Sequence, residues 1–510
     1  MAIRTYGLSG SGMDIDQMVK DLMKAQRTRY DTMVQKKTQL EWKKADYNTM
    51  YTTINDFRNN TVFNYKLQGT LLPKSTVSTN ETVVSVTANA DAANFTHSVE
   101  VTSLAQSASM SSSATISKTN SPGKTNLQDH IGVSGTINLT LNDGTESQSL
   151  SNYDTTGKSI YDLVSDINKL GLNIKASYDS TLDRFFLYNT KSGSDNQVNL
   201  TAGDANTQTL LSNLQLGNAS SLTTKNPPTA PAVLPSNYTT GKDAVVKIDG
   251  TTLTQNSNTF TVSGVTYTLK AAGTSNVTVS SDTDKAVAAV KSFIESYNTM
   301  LSKINSETNE AYYKDFLPLT DAQKAEMKES DIAAWEAKAK SGLLRRNPIL
   351  QNLATQMRSN LADPISGVTG KYTTASSIGI TTGTYTEGGK LYLDETKLKK
   401  ALEEDPDVLS KLFGTSGDSS SQKGIAVRLY DTLQTAADKI KTEAGITASV
   451  DYDTTSNLAK DINDYNDRLT VLNTQLNSLE DRYYQQFNAM ETALQKLNQQ
   501  SSWLAQQFSS

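Results

Sequence analysis

DINDYNDRLTVLNTQLNSLEDRYYQQFNAMETALQKLNQQSSWL, residues 461–504, sets Ile462, Leu469, Leu476, Tyr483, Met490, Leu497 and Leu504 at every seventh position of a Gln, Asn, Ser and Asp surface. Leu458, Tyr465, Leu472 and Leu479 form a second row at the same spacing. Two apolar rows at this interval are a heptad pattern, which predicts one long amphipathic helix. After Leu479 the second row passes to Phe487, Leu494 and Phe508, the drift of a straight helix that outruns a strict heptad. The segment therefore reads as a helix packed in a bundle rather than as a free two-stranded zipper. Each large apolar side chain it buries contributes roughly 1.5–3 kcal/mol, and the stripe gains almost nothing alone in water. It needs a partner.

The other end of the chain offers one. Ile15, Val19, Leu22 and Met23, then Met33, Leu40, Tyr47, Met50, Ile54 and Phe57, recur at helical spacing with polar interruptions, and Pro73 marks the end of that helix. Between Gln26 and Ala45 the face carries Arg27, Arg29, Lys36, Lys37, Lys43 and Lys44, too hydrophilic for a comfortable intramolecular core. That stretch reads as a solvated coiled-coil flank, or as a segment that orders only against another subunit.

Between the helical ends the period alternates. Val83, Val84 and Val86, then Val99 and Val101, are short strand signals separated by Asn and Asp turns. Residues 107–126 are Ser/Thr-rich and read as a loop or linker. Ile137, Leu139 and Leu141 lead into the Asn142-Asp143-Gly144 turn. Ile160, Leu163, Val164 and Ile167 share a helical face closed by Gly171, and strands resume at Ile174, Phe185 and Leu187, an α+β order. Residues 226–235 hold four prolines and read as a stiff linker. A second β segment follows through Val246, Ile248, Asp249-Gly250, Phe260, Val262, Gly264, Val265, Tyr267 and Leu269. The helical period then returns at Ala286, Val290, Phe293, Tyr297, Leu301 and Ile304. The fold class is thus multidomain α+β: a long helical coiled-coil or bundle stem drawn from both termini, with β-rich and α+β head domains inserted. The expected borders are 1–45 and 460–510 for terminal helices, 46–72 and 284–459 for a helical stem, 73–106 and 239–283 for a β-rich head, and 107–238 for an outer α+β head.

Composition agrees with an elongated, exported structural protein. Across 510 residues only 36% are hydrophobic, and the mean hydropathy is -0.47. That favours several thin domains over one thick core. The net charge of -5 comes with scattered basic residues, so nucleic acid has no electrostatic footprint to bind. No stretch approaches eighteen consecutive apolar residues, and residues 1–16 lack an apolar signal core, so neither membrane insertion nor a cleaved signal peptide is expected. There is no cysteine, and the two histidines, His97 and His130, have no neighbouring carboxylate, thiol or second His at ligand spacing. They read as surface or turn residues, and neither metal nor triad chemistry has a constellation to work with. Gly157-Lys158-Ser159 lacks the first glycine of a phosphate loop and reads instead as a capping box with Asp162. Gly7, Gly10 and Gly12 have no strand before them, so they make a flexible lead into an Asp14-capped helix rather than a dinucleotide fingerprint. Asp451 and Asp453 form a lone D-x-D in a polar loop. No cofactor, no metal and no catalysis are expected.

Several local patterns, taken in order, resemble one family. They are Gly7-Leu-Ser-Gly-Ser-Gly-Met-Asp-Ile-Asp16; Asp243-Ala-Val-Val-Lys-Ile-Asp-Gly250 with Asn258-Thr-Phe260 and Ser263-Gly-Val-Thr-Tyr-Thr-Leu269; and Val290-Lys-Ser-Phe-Ile-Glu-Ser-Tyr-Asn298. Ser377-Ile-Gly-Ile380, Gly389-Lys-Leu-Tyr-Leu-Asp394, Asp405-Pro406, Leu412-Phe413-Gly414, Gly424-Ile-Ala-Val-Arg428 and Tyr484-Gln-Gln-Phe-Asn-Ala-Met490 continue the series. The chain resembles the bacterial flagellar filament cap family, hook-associated protein 2. Residues 131–200 are similar to a module shared with flagellins. Residues 315–341 depart from the family pattern as an extra polar insertion, with a Thr320/Gln323 capping box and Trp335 isolated among charges.

The resemblance implies an extracellular cap at the flagellum tip, built as a homo-oligomeric ring, a pentamer by family expectation. It also implies a route through the flagellar export apparatus. Implied partners are flagellin, which folds and inserts beneath the cap instead of leaking away, the hook-filament junction proteins, and a cytosolic export chaperone at the C-terminal helix. The residues expected to form the oligomer and filament interface are Ile15, Val19, Leu22, Leu469, Leu472, Leu476, Leu479, Tyr483, Phe487, Met490, Leu494, Leu497 and Leu504. A surface adhesin, and a flagellin-like filament or hook-filament junction subunit, are the alternatives. A surface-remodelling enzyme fails for want of a nucleophile, base or metal set.

Overall fold

The computed structural model describes residues 14–118, 124–217, 237–384 and 387–508. Gly7, Gly10, Gly12 and the proline-rich 226–235 lie outside them, as does the side chain of Phe508. The chain divides into two compact units, one of residues 1–71 and 283–510, the other of residues 72–282. The second is thus inserted in the sequence of the first.

α1 (Ile15–Asp56) starts at Asp14, whose carboxylate accepts from the Gln17 N–H at 2.9 Å. This satisfies one of the free donors of the first turn. The helical trace does not run on to Pro73: it loosens into a π turn at Phe57–Thr61 and a 3-10 turn at Val62–Lys66, followed by the single turn α2 (Gln68–Leu71).

The inserted unit holds two cores. Its strands and helices run β1 (Lys74–Ser78), β2 (Val84–Ala88), β3 (Phe95–Ser103), β4 (Ser107–Ser111), α3 (Leu127–Ile131), β5 (Thr136–Asn142), β6 (Ser147–Asp154), α4 (Ile160–Asn168), β7 (Ile174–Asp179) and β8 (Arg184–Ser192). They continue through β9 (Asn199–Ala202), α5 (Ala205–Asn213), β10 (Tyr238–Thr239), β11 (Ala244–Ile248), β12 (Thr251–Gln255), β13 (Thr259–Val262), β14 (Val265–Leu269) and β15 (Gly273–Ser281). An antiparallel sheet in the order β1-β15-β3-β11-β12 and a smaller one, β13-β14-β2, enclose Val84, Val99, Val101, Val246, Val265, Tyr267, Val277 and Val279. The tight turns carry the positive φ that two-residue hairpins need: Asp249 and Gly250 at 48° and 81°, Ser263 and Gly264 at 49° and 78°. The other core lies among the sheets β10-β4-β8-β7 and β6-β5-β9 with α4 and α5, and holds Leu139, Leu141, Leu163, Ile167, Phe185 and Leu210. Ser159 and Asp162 form the expected capping box.

Two expectations fail here. Residues 107–126 are not a linker throughout, because β4 is an inner strand of its sheet with Ala108 and Met110 fully buried. Its alternating Ser residues hide a period-2 strand behind a low-complexity composition. The histidines do have carboxylate neighbours, brought by the fold rather than by spacing. His97 Nδ1 meets Asp249 Oδ2. His130 is 1% exposed, bonds Ser117 Oγ at 2.7 Å and lies 3.5 Å from Asp183.

The chain re-enters the helical unit through α6 (Thr283–Asn309), α7 (Asp321–Ala325), α8 (Glu329–Lys340) and α9 (Pro348–Ala362). A small hairpin, β16 (Ile380–Thr382) and β17 (Leu391–Leu393), precedes α10 (Glu395–Glu404), α11 (Ile425–Ala444) and the long α12 (Asn457–Phe508). One core joins Tyr47, Met50 and Ile54 of α1 to Val290, Phe293, Tyr297 and Leu301 of α6, Leu353 and Met357 of α9, and Leu429, Leu433 and Ile440 of α11. Phe293 and Phe413 meet edge to face with ring centroids 5.2 Å apart. Trp335 is not isolated: it lies 4.5 Å from Phe316, and its Nε1 donates to the Leu317 carbonyl at 2.8 Å.

Candidate functional site

The paired terminal helices are built from the seam outward. Ile15, Val19 and Met23, one turn apart on α1, pack on Leu476 and Tyr484 of α12, with Tyr30, Leu479, Tyr483 and Phe487 at the margins. Tyr484 OH donates to Asp16 Oδ1 at 2.9 Å, so the tip of the pair is also tied by a polar contact. Farther along, Lys44 of α1 meets Asp453 just before α12 begins. The contacts run in opposite order along the two helices, which are therefore antiparallel.

Lys44 is the surprise of this region. It stands in the basic stretch that reads as solvated, yet it is fully buried. Its Nζ donates to the Ala444 carbonyl and to Asp453 Oδ2, each at 2.5 Å. Asp453, half of the D-x-D that reads as a polar loop, is 7% exposed. Its Oδ1 accepts from the N–H groups of Thr455 and Ser456, its Oδ2 from Ser456 Oγ. Burial works to raise this carboxyl, but the bonds from Lys44, Ser456 and Thr455 outweigh it and hold the group well below the usual carboxylate range. One charge pair thus ties α1, the end of α11 and the start of α12. The Lys44–Asp453 pair clamps the helices together; among the described residues no three His, Cys, Asp or Glu side chains converge on a metal-sized site.

Two family models cover the chain on either side of the outer part of the insertion. The flagellar hook-associated protein 2 N-terminus matches residues 11–108, and its C-terminus matches residues 241–499. The chain belongs to the flagellar hook-associated protein 2 family. That family is structural, and its place is the cap of the flagellar filament. Flagellar hook-associated protein 2 of Halalkalibacterium halodurans is 29% identical over 540 residues, 98% of this chain and 98% of the relative. The Salmonella typhimurium protein of the same name is 27% identical over 365 residues, 70% of this chain and 67% of the relative. In fold, the D1-D2-D3 domains of the flagellar cap protein FliD from Escherichia coli match with a TM-score of 0.55 at 19% identity, over 82% of this chain and 99% of that one. No helix among the described residues is long and apolar enough to cross a membrane.

Within this family member the residues expected to form the interface fall into three groups. Ile15, Val19, Leu469 and Leu476 are buried. Leu472, Leu479, Tyr483, Phe487 and Leu494 are half-buried. Leu22, Met490, Leu497 and Leu504 are exposed, at 42%, 39%, 58% and 48%. Met23, part of the N-terminal helical pattern, joins the seam although it is not among the expected interface residues, and neither are Tyr484 and the Lys44–Asp453 pair. Tyr484 was within reach, since it adjoins Tyr483 and the drift of the seam points to it.

Proposed function

We propose that this chain caps the distal end of a bacterial flagellar filament as a homo-oligomeric ring. The ring is a pentamer by resemblance, and the tip of the α1–α12 pair is its leg on the filament. Flagellin arriving through the filament folds and inserts beneath the ring and is kept from leaking away. The hook-filament junction proteins are the first surface the cap meets, and a cytosolic chaperone covers the C-terminal helix before passage through the flagellar export apparatus. The work is mechanical and needs no cofactor and no catalysis.

The observation that carries this reading is the change along α12. Its seam is buried at Leu469 and Leu476, but Met490, Leu497 and Leu504 lie open, with Trp503 60% exposed beside them. An exposed one-sided stripe on a helix gains its burial energy only when a second helical surface covers it, and the filament supplies that surface. The contact must hold and yet release as each subunit is added, which suits many modest contacts better than one dry plug.

The test supplies the full chain, or a form truncated before Asp461, to cells lacking their own cap. The full chain should suppress flagellin in the medium. The truncated form keeps all strands of the inserted unit, which lie within residues 72–282, and should leave the leak unchanged. Equal rescue by both forms would refute docking through the terminal helices.

A further inference from the structure

Two exposed apolar patches of the helical unit are anchored to α1, with one anchor of each, Trp42 and Lys44, two residues apart. The first belongs to the segment that carries α7 and α8. Tyr312, Tyr313 and Leu317 are 42–43% exposed. Phe316 lies between Tyr313, which it meets edge to face (5.9 Å), and Trp335, which is tilted to it (4.5 Å), and Lys338 holds its ammonium 4.6 Å over the Phe316 ring. This patch is fastened to α1 by Lys340 over the Trp42 ring at 4.8 Å and by Gln35 Nε2 donating to the Pro318 carbonyl at 2.8 Å.

The second is the turn between α11 and α12, where Ile446 is 60% and Tyr452 87% exposed, with Asp451, also exposed, next to Tyr452. It is fastened to α1 from the opposite side, by Lys44 to Ala444 and Asp453 and by Asn48 near the same carbonyl. Its base is fixed: Gly445 has φ +71°, and a Cβ there would sit 2.0 Å from Asp453 Oδ2. The turn is therefore held out as a shaped projection rather than lying as slack chain.

Helical geometry places these anchors. Successive residues turn about 100° and rise about 1.5 Å, so Gln35 and Trp42 share one face while Lys44 and Asn48 share the other, and Trp42 and Lys44 stand about 3 Å apart along the axis. A closed ring of more than two copies needs this pairing, two different surfaces on opposite sides of each subunit, joined head to tail. The charges also agree, since Lys314 and Lys338 border the aromatic patch and Asp451 sits in the turn.

Resting on the ring reading above, we propose that these patches are the two halves of one copy-to-copy contact. The Tyr312, Tyr313, Phe316, Leu317 and Trp335 patch of each subunit receives the Ile446–Tyr452 turn of the next. The occupant is a second copy of this chain. The insertion at 315–341 is then the receiving half of the ring joint.

The chain has no cysteine, so the test is clean in the full-length protein. Lys314→Cys and Asp451→Cys are made singly and together and treated with a short bismaleimide. The double variant should give a ladder of covalent oligomers, a mixture of the two singles should give dimers, and each single alone should give none. Tyr452→Asp, a change at an exposed position, should raise the concentration for half-assembly by at least about tenfold, with an unchanged circular dichroism melt of the dilute monomer. Rings that form by light scattering without the ladder would overturn the proposed contact and leave the ring standing. A full-length chain that stays monomeric at every concentration would overturn both.

Discussion

Replacing Lys44 with Met removes the cation that ties the two terminal segments and leaves the rest of the packing in place. The Asp453 carboxylate is then buried without its counter-charge, and the Ala444 carbonyl loses a donor. Breaking one side of a buried ion pair costs about 3–5 kcal/mol, because the remaining charge is uncompensated. At about 2 °C per kcal/mol for a unit of this size, the melting midpoint should fall by roughly 6–10 °C. The helical band of the circular dichroism spectrum reports it, since the inserted unit is mainly strand. Asn at 453 still offers Oδ1 to the Thr455 and Ser456 amides. Lys44→Met with Asp453→Asn should therefore be more stable than Lys44→Met alone, with a coupling of at least about 1 kcal/mol. The pH dependence has a fixed sign. Asp453 titrates below its unfolded value, so its contribution is present above about pH 4 and lost as pH falls towards the folded value. The gap between wild type and Lys44→Met should narrow on that acid side. A loss below about 1 kcal/mol, or a double variant weaker than the single, would refute the clamp.

Asp46, half-buried on α1, has its carboxyl pushed up to about 6 by burial and then by Glu307 and Glu310, against Lys303 and Lys340. A raised carboxylate pKa means stability is lost as pH rises from about 4 through 6. Asp46→Asn should thus stabilise the unit near neutral pH by about 1–2 kcal/mol after discounting for solvent screening. Urea midpoints should show that gain vanishing below about pH 4. Leu476→Asp places a charge in the seam and should cost about 2–4 kcal/mol in the monomer, whereas Leu497→Asp, at 58% exposure, should change monomer stability by less than about 0.5 kcal/mol and show its effect in assembly, read by light scattering. Amide exchange should quicken along α12 from Leu458 towards Leu504, following the loss of buried contacts; uniform protection over the whole helix would contradict that gradient.

What was legible in the sequence depended on whether a residue's fate was decided locally. The seam of α12 and the face of α6 could be read because one-sided apolar spacing survives whatever the helix packs against. So could the Ser159 and Thr320 capping boxes, where partners lie three residues apart, and the Asp249-Gly250 turn. Lys44 could not be read, because spacing rules assign Lys to solvent, and its counter-charge is 409 residues away. The carboxylate neighbour of His97 is 152 residues away for the same reason. β15, inside the expected β-rich span 239–283, shows only Val277 and Val279 among Ser, Thr and Asn, and β4 only Ala108 and Met110 among Ser. Only pairing across the sheet, as of Val277 and Val279 with β1 and β3, makes such a segment an inner strand.

The distribution of binding energy along the helix pair bears on how a leg can work. At the base, the Lys44–Asp453 pair and fully buried Leu458 and Ile462 fix α12 to the unit. In the middle, Ile15, Val19, Leu476 and Tyr484 bury well while Leu479, Tyr483 and Phe487 are only partly covered. At the far end, Leu497, Trp503 and Leu504 have not yet realised their burial energy, which at about 25 cal/mol per Å² is gained only when a second surface covers them. A helix uniformly buried in its own subunit would have nothing left with which to hold the filament. One exposed along its whole length would pull away from its subunit under load. On the filament docking proposed above, firm attachment at the base and free apolar surface at the tip would let the same helix transmit force and exchange partners as flagellin is inserted step by step under a cap.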